Sequence, residues 1–162
     1  MIYFIADTHF HSNDIAKQRG FKNYEEMDKI IIENWNNTVT SQDTVYILGD
    51  MFEDCVRADY LSQLKGYKIL IVGNHDYISD DDKDNLELID YPIIFNKFWI
   101  LSHKPMYVTE SAPYANIFGH VHNNPMYKTV SSRSYCVSAE RINYTPISFE
   151  EIKRQVMAEN KA

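Results

Sequence analysis

Five short blocks hold five of the six histidines of this chain: Asp7-Thr8-His9, Gly49-Asp50, Gly73-Asn74-His75-Asp76, Ser102-His103 and Gly119-His120-Val121-His122 contain every histidine except His11. Each block follows directly on an apolar or β-branched run that reads as a strand. Ligands placed at the carboxyl ends of strands gather in one crevice of an α/β sheet, so residues far apart in sequence can meet in space. Gly49, Gly73 and Gly119 stand immediately before an Asp, an Asn and a His. Glycine there suggests tight strand-end turns that present ligands. Oxygen and imidazole donors without thiolate suit one or two divalent transition metals.

Singly, the blocks say little. Asp-x-His arises by chance, and a lone buried histidine is usually a hydrogen-bonded core residue. Gly-His-x-His puts two imidazoles on one face of a strand, because side chains at i and i+2 share a face. That alternation is also what two ligands aimed at one metal cluster require. Five such blocks, each after a strand, are hard to explain by packing alone.

The strands expected from these runs are Ile2 to Ala6, Thr44 to Leu48, Lys68 to Val72, Ile93 to Phe95, Phe98 to Leu101, Ala115 to Phe118, Tyr127 to Val130 and Tyr135 to Ser138. Asn96-Lys97 would turn a hairpin whose second strand delivers His103. Asn23-x-x-Glu26 resembles a capping box and opens a helix from Tyr24 to Thr38, with Met27, Ile30, Ile31 and Trp35 at helical spacing. A short helix is expected over Ala58 to Leu64, and Ser148-x-x-Glu151 caps a last one through Ala158. Ile142, Tyr144 and Ile147 read as core leading into it. Helix and strand alternate in the first half, and strands dominate the second.

At 162 residues the chain reads as a single domain, 1–162, long enough to bury a proper core. No apolar run approaches the roughly 20 residues needed to span a bilayer. Met1 to Ala6 is apolar but lacks a basic flank and runs straight into Asp7, as a core strand would rather than a signal peptide. Cys55 and Cys136 have no CxxC spacing and read as reduced thiols of a cytoplasmic protein. The net charge of -7, without a dense Lys/Arg stripe, makes long nucleic acid a less favoured substrate than a small phosphoester.

The order Asp-x-His, Gly-Asp, Gly-Asn-His-Asp, His, Gly-His-x-His, running from Asp7 to His122, resembles the calcineurin-like metallophosphoesterase family. The Asp7-Thr8-His9-Phe10 opening and Val45-Tyr46-Ile47-Leu48-Gly49-Asp50 look like its small, single-domain bacterial and phage members. The resemblance implies an α/β (α+β) fold, a two-sheet β-sandwich flanked by helices in αββα layers. It implies that Asp7, His9 and His122 bind one metal, that Asn74, His103 and His120 bind another, and that Asp50 bridges them. A carboxylate can span two cations because its two oxygens carry several lone pairs. The reaction so implied is attack on a phosphoester by hydroxide bound at a dinuclear centre, with no covalent enzyme intermediate. His75 would contact the phosphoryl group and protonate the leaving oxygen, with Asp76 orienting its ring.

His11 and Asn13 are candidate substrate contacts; relatives with this opening often carry a His where this chain has Ser12. Arg19, Arg133 and Arg141 are candidate phosphate contacts without positional support. Asp80, Asp81, Asp82 and Asp84 lack the glycine and terminal glutamate of an EF-hand and suit a helix N-terminus. Lys104 to Asn116, between two ligand blocks, would overhang the metals and shape the substrate pocket.

The expected protein is therefore a metal-dependent hydrolase of a small phosphomonoester or phosphodiester, with a nucleotide as one candidate. Two divalent ions are expected, Mn²⁺ first and Fe, Zn, Ni or Co as further candidates. Oligomeric state is left open between monomer and homodimer. The rivals are a nuclease or nucleic-acid end-processing phosphodiesterase and a non-catalytic interaction module on the same scaffold. A redox or metal-storage site is disfavoured by the His75-Asp76 pair.

Overall fold

The computed structural model describes residues 1–53, 57–77, 86–109 and 111–161. The expected acidic helix start at Asp80 to Asp84, and Cys55, lie outside the described residues. Two mixed sheets flanked by helices form the architecture. The first sheet has the order β10-β1-β2-β3-β4, from β1 (Ile2–Ile5), β2 (Thr44–Ile47), β3 (Tyr67–Ile71), β4 (Glu87–Ile89) and β10 (Ile147–Ser148). In it, β1 to β4 run parallel and β10 pairs antiparallel with β1. The second sheet is β5-β6-β7-β9-β8, from β5 (Ile93–Phe95), β6 (Trp99–Ser102), β7 (Ala115–Phe118), β8 (Val130–Ser131) and β9 (Ser134–Cys136).

The expected hairpin through Asn96-Lys97 is present, with Phe95 opposite Trp99. The last expected strand pair is shorter than its apolar pattern, with Ser131 opposite Ser134. Sequence reasoning passed over α1 (Asn13–Gln18), β4 and β10, each six residues or fewer. α2 occupies Tyr24–Thr38 as expected, and the Asn23 side chain accepts from Glu26 N–H. The Glu26 carboxylate turns to Lys22 N–H rather than back to Asn23, so only half of the capping box forms. α3 covers Arg57–Gln63, and α4 (Phe149–Glu159) is capped by the Ser148 hydroxyl.

Period-2 alternation in β1 separates two cores. Tyr3 and Ile5 face a cluster that includes Met27, Ile31 and Trp35, one stripe of α2 at i, i+4 and i+8. Phe4 and Ala6 face the opposite cluster, with Leu48, Trp99, Leu101, Ile117 and Val137, and Phe149, Ile152 and Val156 of α4 close it. Each fully buried large side chain contributes about 1.5–3 kcal/mol. The two sheets are also stitched at their ends. Ala6 N–H donates to Val137 O at 2.9 Å, and Ala139 N–H donates to Ala6 O at 2.9 Å. This stitch sits immediately before Asp7, so it sets the separation of the two sheets where the histidine blocks emerge.

Candidate metal centre

Asp7 and His9 follow β1, Asp50 follows β2, Asn74 follows β3, His103 follows β6, and His120 and His122 follow β7. Beyond the strand ends the chains stay in register. Asp7 N–H donates to Gly49 O at 2.9 Å and His9 N–H to Asp50 O at 3.1 Å. The candidate ligands carry much of the backbone strain themselves: φ is +57° at Asp7, +46° at His9, +53° at Asp50, +71° at His120 and +47° at His122. Non-glycine residues seldom adopt this left-handed region, and such outliers cluster at functional sites. The glycines serve less uniformly than expected. Gly49 does need its φ of +86°, but Gly73 and Gly119 are demanded by space. A Cβ on Gly73 would lie 2.2 Å from Asp50 Oδ1, and one on Gly119 would lie 2.4 Å from Ala6 Cβ.

The turns bring the donors into two groups. Asp7, His9 and His122 offer ligand atoms within 4.8 Å of one another, and so do Asp50, His103 and His120. Asn74 joins the second group, its Oδ1 lying 2.9 Å from His103 Nε2, and His120 Nδ1 lies 3.0 Å from that same nitrogen. Asp50 Oδ2 stands between the groups, 3.3 Å from His103 Nε2 and 3.8 Å from His9 Nε2. His75 sits at the mouth with its side chain 53% exposed, edge-on to His9 at 5.4 Å. Its backbone N–H donates to Asp50 Oδ1 at 2.9 Å.

The donor set fits cations, and the reason is the tautomers. His103 Nδ1 must carry its proton, because it donates to the Leu48 carbonyl at 2.9 Å. His9 Nδ1 and His122 Nδ1 likewise face the carboxylates of Glu53 at 2.7 Å and Glu140 at 2.8 Å. In its neutral form each ring therefore turns the Nε2 lone pair inward, the arrangement of a carboxylate–histidine–metal triad, and a cation would stand where the second proton of His103 or His122 otherwise sits. His9 Nε2 is buried without a hydrogen-bond partner among the described residues, in a side chain 1% exposed. A buried acceptor left so is costly unless a cation or proton meets it.

Charge follows the same design. Burial pushes Asp7 up to about 6, with His122 and Ser138 pulling the other way. Burial also drives Asp50 up, but without a cation the proton that Asp50 draws onto the His103 ring, together with the His75 backbone N–H, outweighs it and holds Asp50 at about 2. Burial brings His9 down to about 4, which keeps its ring neutral.

Several residues that support these groups escaped sequence reasoning. Glu53 and Glu140 fix two rings, Ser138 Oγ donates to Asp7 Oδ2 at 2.6 Å, and His120 N–H donates to the same carboxylate. Glu140 is itself held by Arg19 Nε at 2.8 Å, and the Arg19 guanidinium also donates to the carbonyls of Asp7 and Thr8. Arg19 is thus a buried brace, not a phosphate contact. Arg141 is spent on the carbonyls of His122, Asn124 and Tyr127, and Arg133 donates to those of Ala112 and Tyr114. Glu140→Gln is expected to weaken metal affinity about 10- to 100-fold, the usual cost of losing such an outer partner. Titration of the metal-free variant with Mn²⁺ measures it, and wild-type affinity would remove Glu140 from the support.

Asp76 needs a correction. Its carboxylate does not orient His75; it accepts backbone N–H bonds from Asp50, Met51 and Gly73, all at 2.8 Å. It clamps two ligand-bearing loops together. His11 and Asn13 have their partners on α2 and α3. His11 N–H donates to Asp28, its ring lies 4.0 Å from that of Tyr24 and its Nδ1 3.3 Å from the Tyr60 hydroxyl, while Asn13 Oδ1 accepts from Tyr24 N–H. These contacts lend no support to a substrate role for either residue.

Two sheets edged by such a cluster define a class, and the class has a name. The chain belongs to the calcineurin-like phosphoesterase family, whose model matches residues 1–160. It is 34% identical to an uncharacterized protein of Methanocaldococcus jannaschii, over 96% of this chain and 90% of that one. It is 29% identical to the Gene 66 protein of Mycobacterium phage L5, over 54% of this chain and 45% of that one. Among solved structures, a protein of unknown function from Aquifex aeolicus superposes with a TM-score of 0.73 and 29% identity, covering 95% of this chain and 98% of that chain. The nuclease MPE of Pseudomonas putida shares the fold at a TM-score of 0.51 and 22% identity, over 75% of this chain and 61% of its own. Among the described residues, no helix is long and apolar enough to cross a membrane.

Proposed function

We propose that this protein is a cytoplasmic, metal-dependent hydrolase of a small phosphomonoester or phosphodiester, a nucleotide being the leading candidate. The observation that carries the reading is the convergence of inward lone pairs on two points that share Asp50. Asp7, His9 and His122 would hold one divalent ion, and Asn74, His103 and His120 the other. Mn²⁺ is the first choice, since a mixed imidazole and oxygen set accepts it and affinity order alone does not decide occupancy. Two such ions would lower the pKa of water and neutralise charge on the phosphoryl oxygens.

The protein's own groups do the rest. Glu53 and Glu140 keep the rings in one tautomer, and the Asp76 clamp fixes the loops of Asp50 and Asn74. His75, exposed at the mouth beside His9, would donate a hydrogen bond to a phosphoryl oxygen and a proton to the leaving oxygen, and its exposure supports that reading. The Oε1 of Glu53 lies 3.9 Å from His75 Nδ1, so among the described residues this glutamate, rather than Asp76, is the carboxylate that faces the His75 ring.

The direct test measures bound metal and then hydrolysis of p-nitrophenyl phosphate and bis(p-nitrophenyl) phosphate with Mn²⁺. Absence of turnover with every divalent metal overturns the reading. His75→Ala keeps the backbone N–H on Asp50, so metal content is expected to stay at the wild-type level while kcat falls about 10²- to 10⁴-fold. Wild-type kcat in that variant would remove His75 from the chemistry.

A further inference from the structure

We propose that the cavity between the β3–β4 edge of the first sheet and the end of β6 is the pocket for the organic group of the substrate, and that it takes a nucleoside. This rests on the phosphoesterase reading above. The cavity has a volume of about 370 Å³. Its lining includes Asn74 and His103, two of the candidate ligands, so an occupant borders the metal centre. A groove of equal volume along α2, lined by Tyr24, Asp28 and Tyr60 among others, includes none of the seven candidate ligands and is no rival for the substrate.

Apolar side chains make most of the remaining lining: Ile71, Val72, Tyr91, Pro92 and Met106. A nucleobase presents two apolar faces that such a wall can cover, and Ser102, Asp90 and Lys104 complete the lining with polar groups that suit a sugar. Tyr91 is a large aromatic residue left 63% exposed at this cavity. Stacking of a base on an aromatic ring would give it a partner, and the contact tolerates any base. Met106 adds a soft thioether that adapts to irregular shapes. The volume falls at the low end of small-molecule pockets, which run from about 300 to 1,000 Å³, and so suits one nucleoside rather than several.

The walls are already fixed. Val72 N–H donates to Ile89 O at 2.8 Å and anchors the segment that continues to Tyr91. On the other side, Met106 N–H donates to Oδ1 of the fully buried Asn116 at 2.8 Å, and Ser102 Oγ donates to Lys104 O at 2.7 Å. A preformed pocket binds without the cost of ordering loops.

The test compares two diesters with the same leaving group, thymidine 5′-(p-nitrophenyl phosphate) and methyl p-nitrophenyl phosphate. The thymidine ester is expected to be at least about tenfold better in kcat/KM, a factor that one stacked base supplies. Tyr91→Ala, and independently Met106→Trp, which fills the cavity, are expected to lower that ratio at least about fivefold. A merely structural defect would lower both rates and leave the ratio alone. As a second readout, thymidine is expected to show saturation-transfer contacts with the metal-free protein that Tyr91→Ala abolishes.

Hydrolysis of both esters with equal efficiency, and no thymidine contact, overturns the pocket alone. No hydrolysis of either ester or of p-nitrophenyl phosphate, with thymidine still bound, overturns the phosphoesterase reading and supports the pocket. Failure of both overturns both. An oligothymidylate cleaved more efficiently than the thymidine ester supports the pocket as the seat of a chain's terminal nucleoside; the reverse order supports a free nucleotide.

Discussion

Asp50→Ala is expected to lower kcat by about a thousandfold and to reduce bound metal from about two ions per chain to one or fewer, because the two groups lose the carboxylate they share. Asp50 Oδ2 lies 3.3 Å from one group's His103 and 3.8 Å from the other's His9, so it is the carboxylate the two groups have in common. Lewis-acid stabilisation of several kcal/mol goes with the cations, and about 4 kcal/mol is a thousandfold in rate. The folded state should suffer less. Asp50 raises the proton affinity of Asp7 by like-charge repulsion, and removing it relieves that while freeing only the His75 N–H and the His103 ring. Metal analysis, kcat for bis(p-nitrophenyl) phosphate and the Tm of the metal-free variant separate these effects. Two retained ions with kcat within tenfold of wild type would defeat the assignment of Asp50 as the bridge.

Asp76→Ala is expected to do the opposite in the metal-free protein and destabilise it strongly. The carboxylate satisfies three backbone N–H groups, those of Asp50, Met51 and Gly73. Each unsatisfied buried donor costs about 1–3 kcal/mol, and water that enters recovers part of it. A net loss of about 3–6 kcal/mol corresponds to a fall in Tm of roughly 10–20 °C for a chain of this size. Were Asp76 instead an orienter of His75, the variant would keep its Tm and lose kcat. Thermal unfolding without metal therefore decides between the two roles, and an unchanged Tm would sink the clamp.

Much of the candidate site was legible because its signals are local. The alternation of β1, the i, i+4, i+8 stripe Met27, Ile31 and Trp35, and the side-chain caps Asn23 and Ser148 each follow from geometry within a few residues. The seven candidate ligands stood out because each follows a strand. Short elements such as α1 did not, since six residues carry too little periodicity to rise above a loop. The supporting shell was invisible for a different reason. Ser138 meets Asp7 across 131 positions and Arg19 meets Glu140 across 121, and no local pattern encodes such a pair.

Sequence alone determined the kind of donor at each strand end and most of the longer helices and strands, because side-chain chemistry and helix or strand period are properties of neighbouring residues; the two-sheet architecture was implied only through the family that the ordered blocks resemble. Tertiary structure alone decided the rest. It chose which lone pairs meet, by fixing histidine tautomers with Glu53, Glu140 and the Leu48 carbonyl. It made Gly73 and Gly119 necessary through crowding rather than through turn conformation. It also moved Asp76 from the His75 ring to the backbone, because three converging N–H groups bind a carboxylate better than one half-exposed imidazole does. Those outcomes depend on how closely two sheets approach at the Ala6 stitch, a distance that no stretch of neighbouring residues specifies.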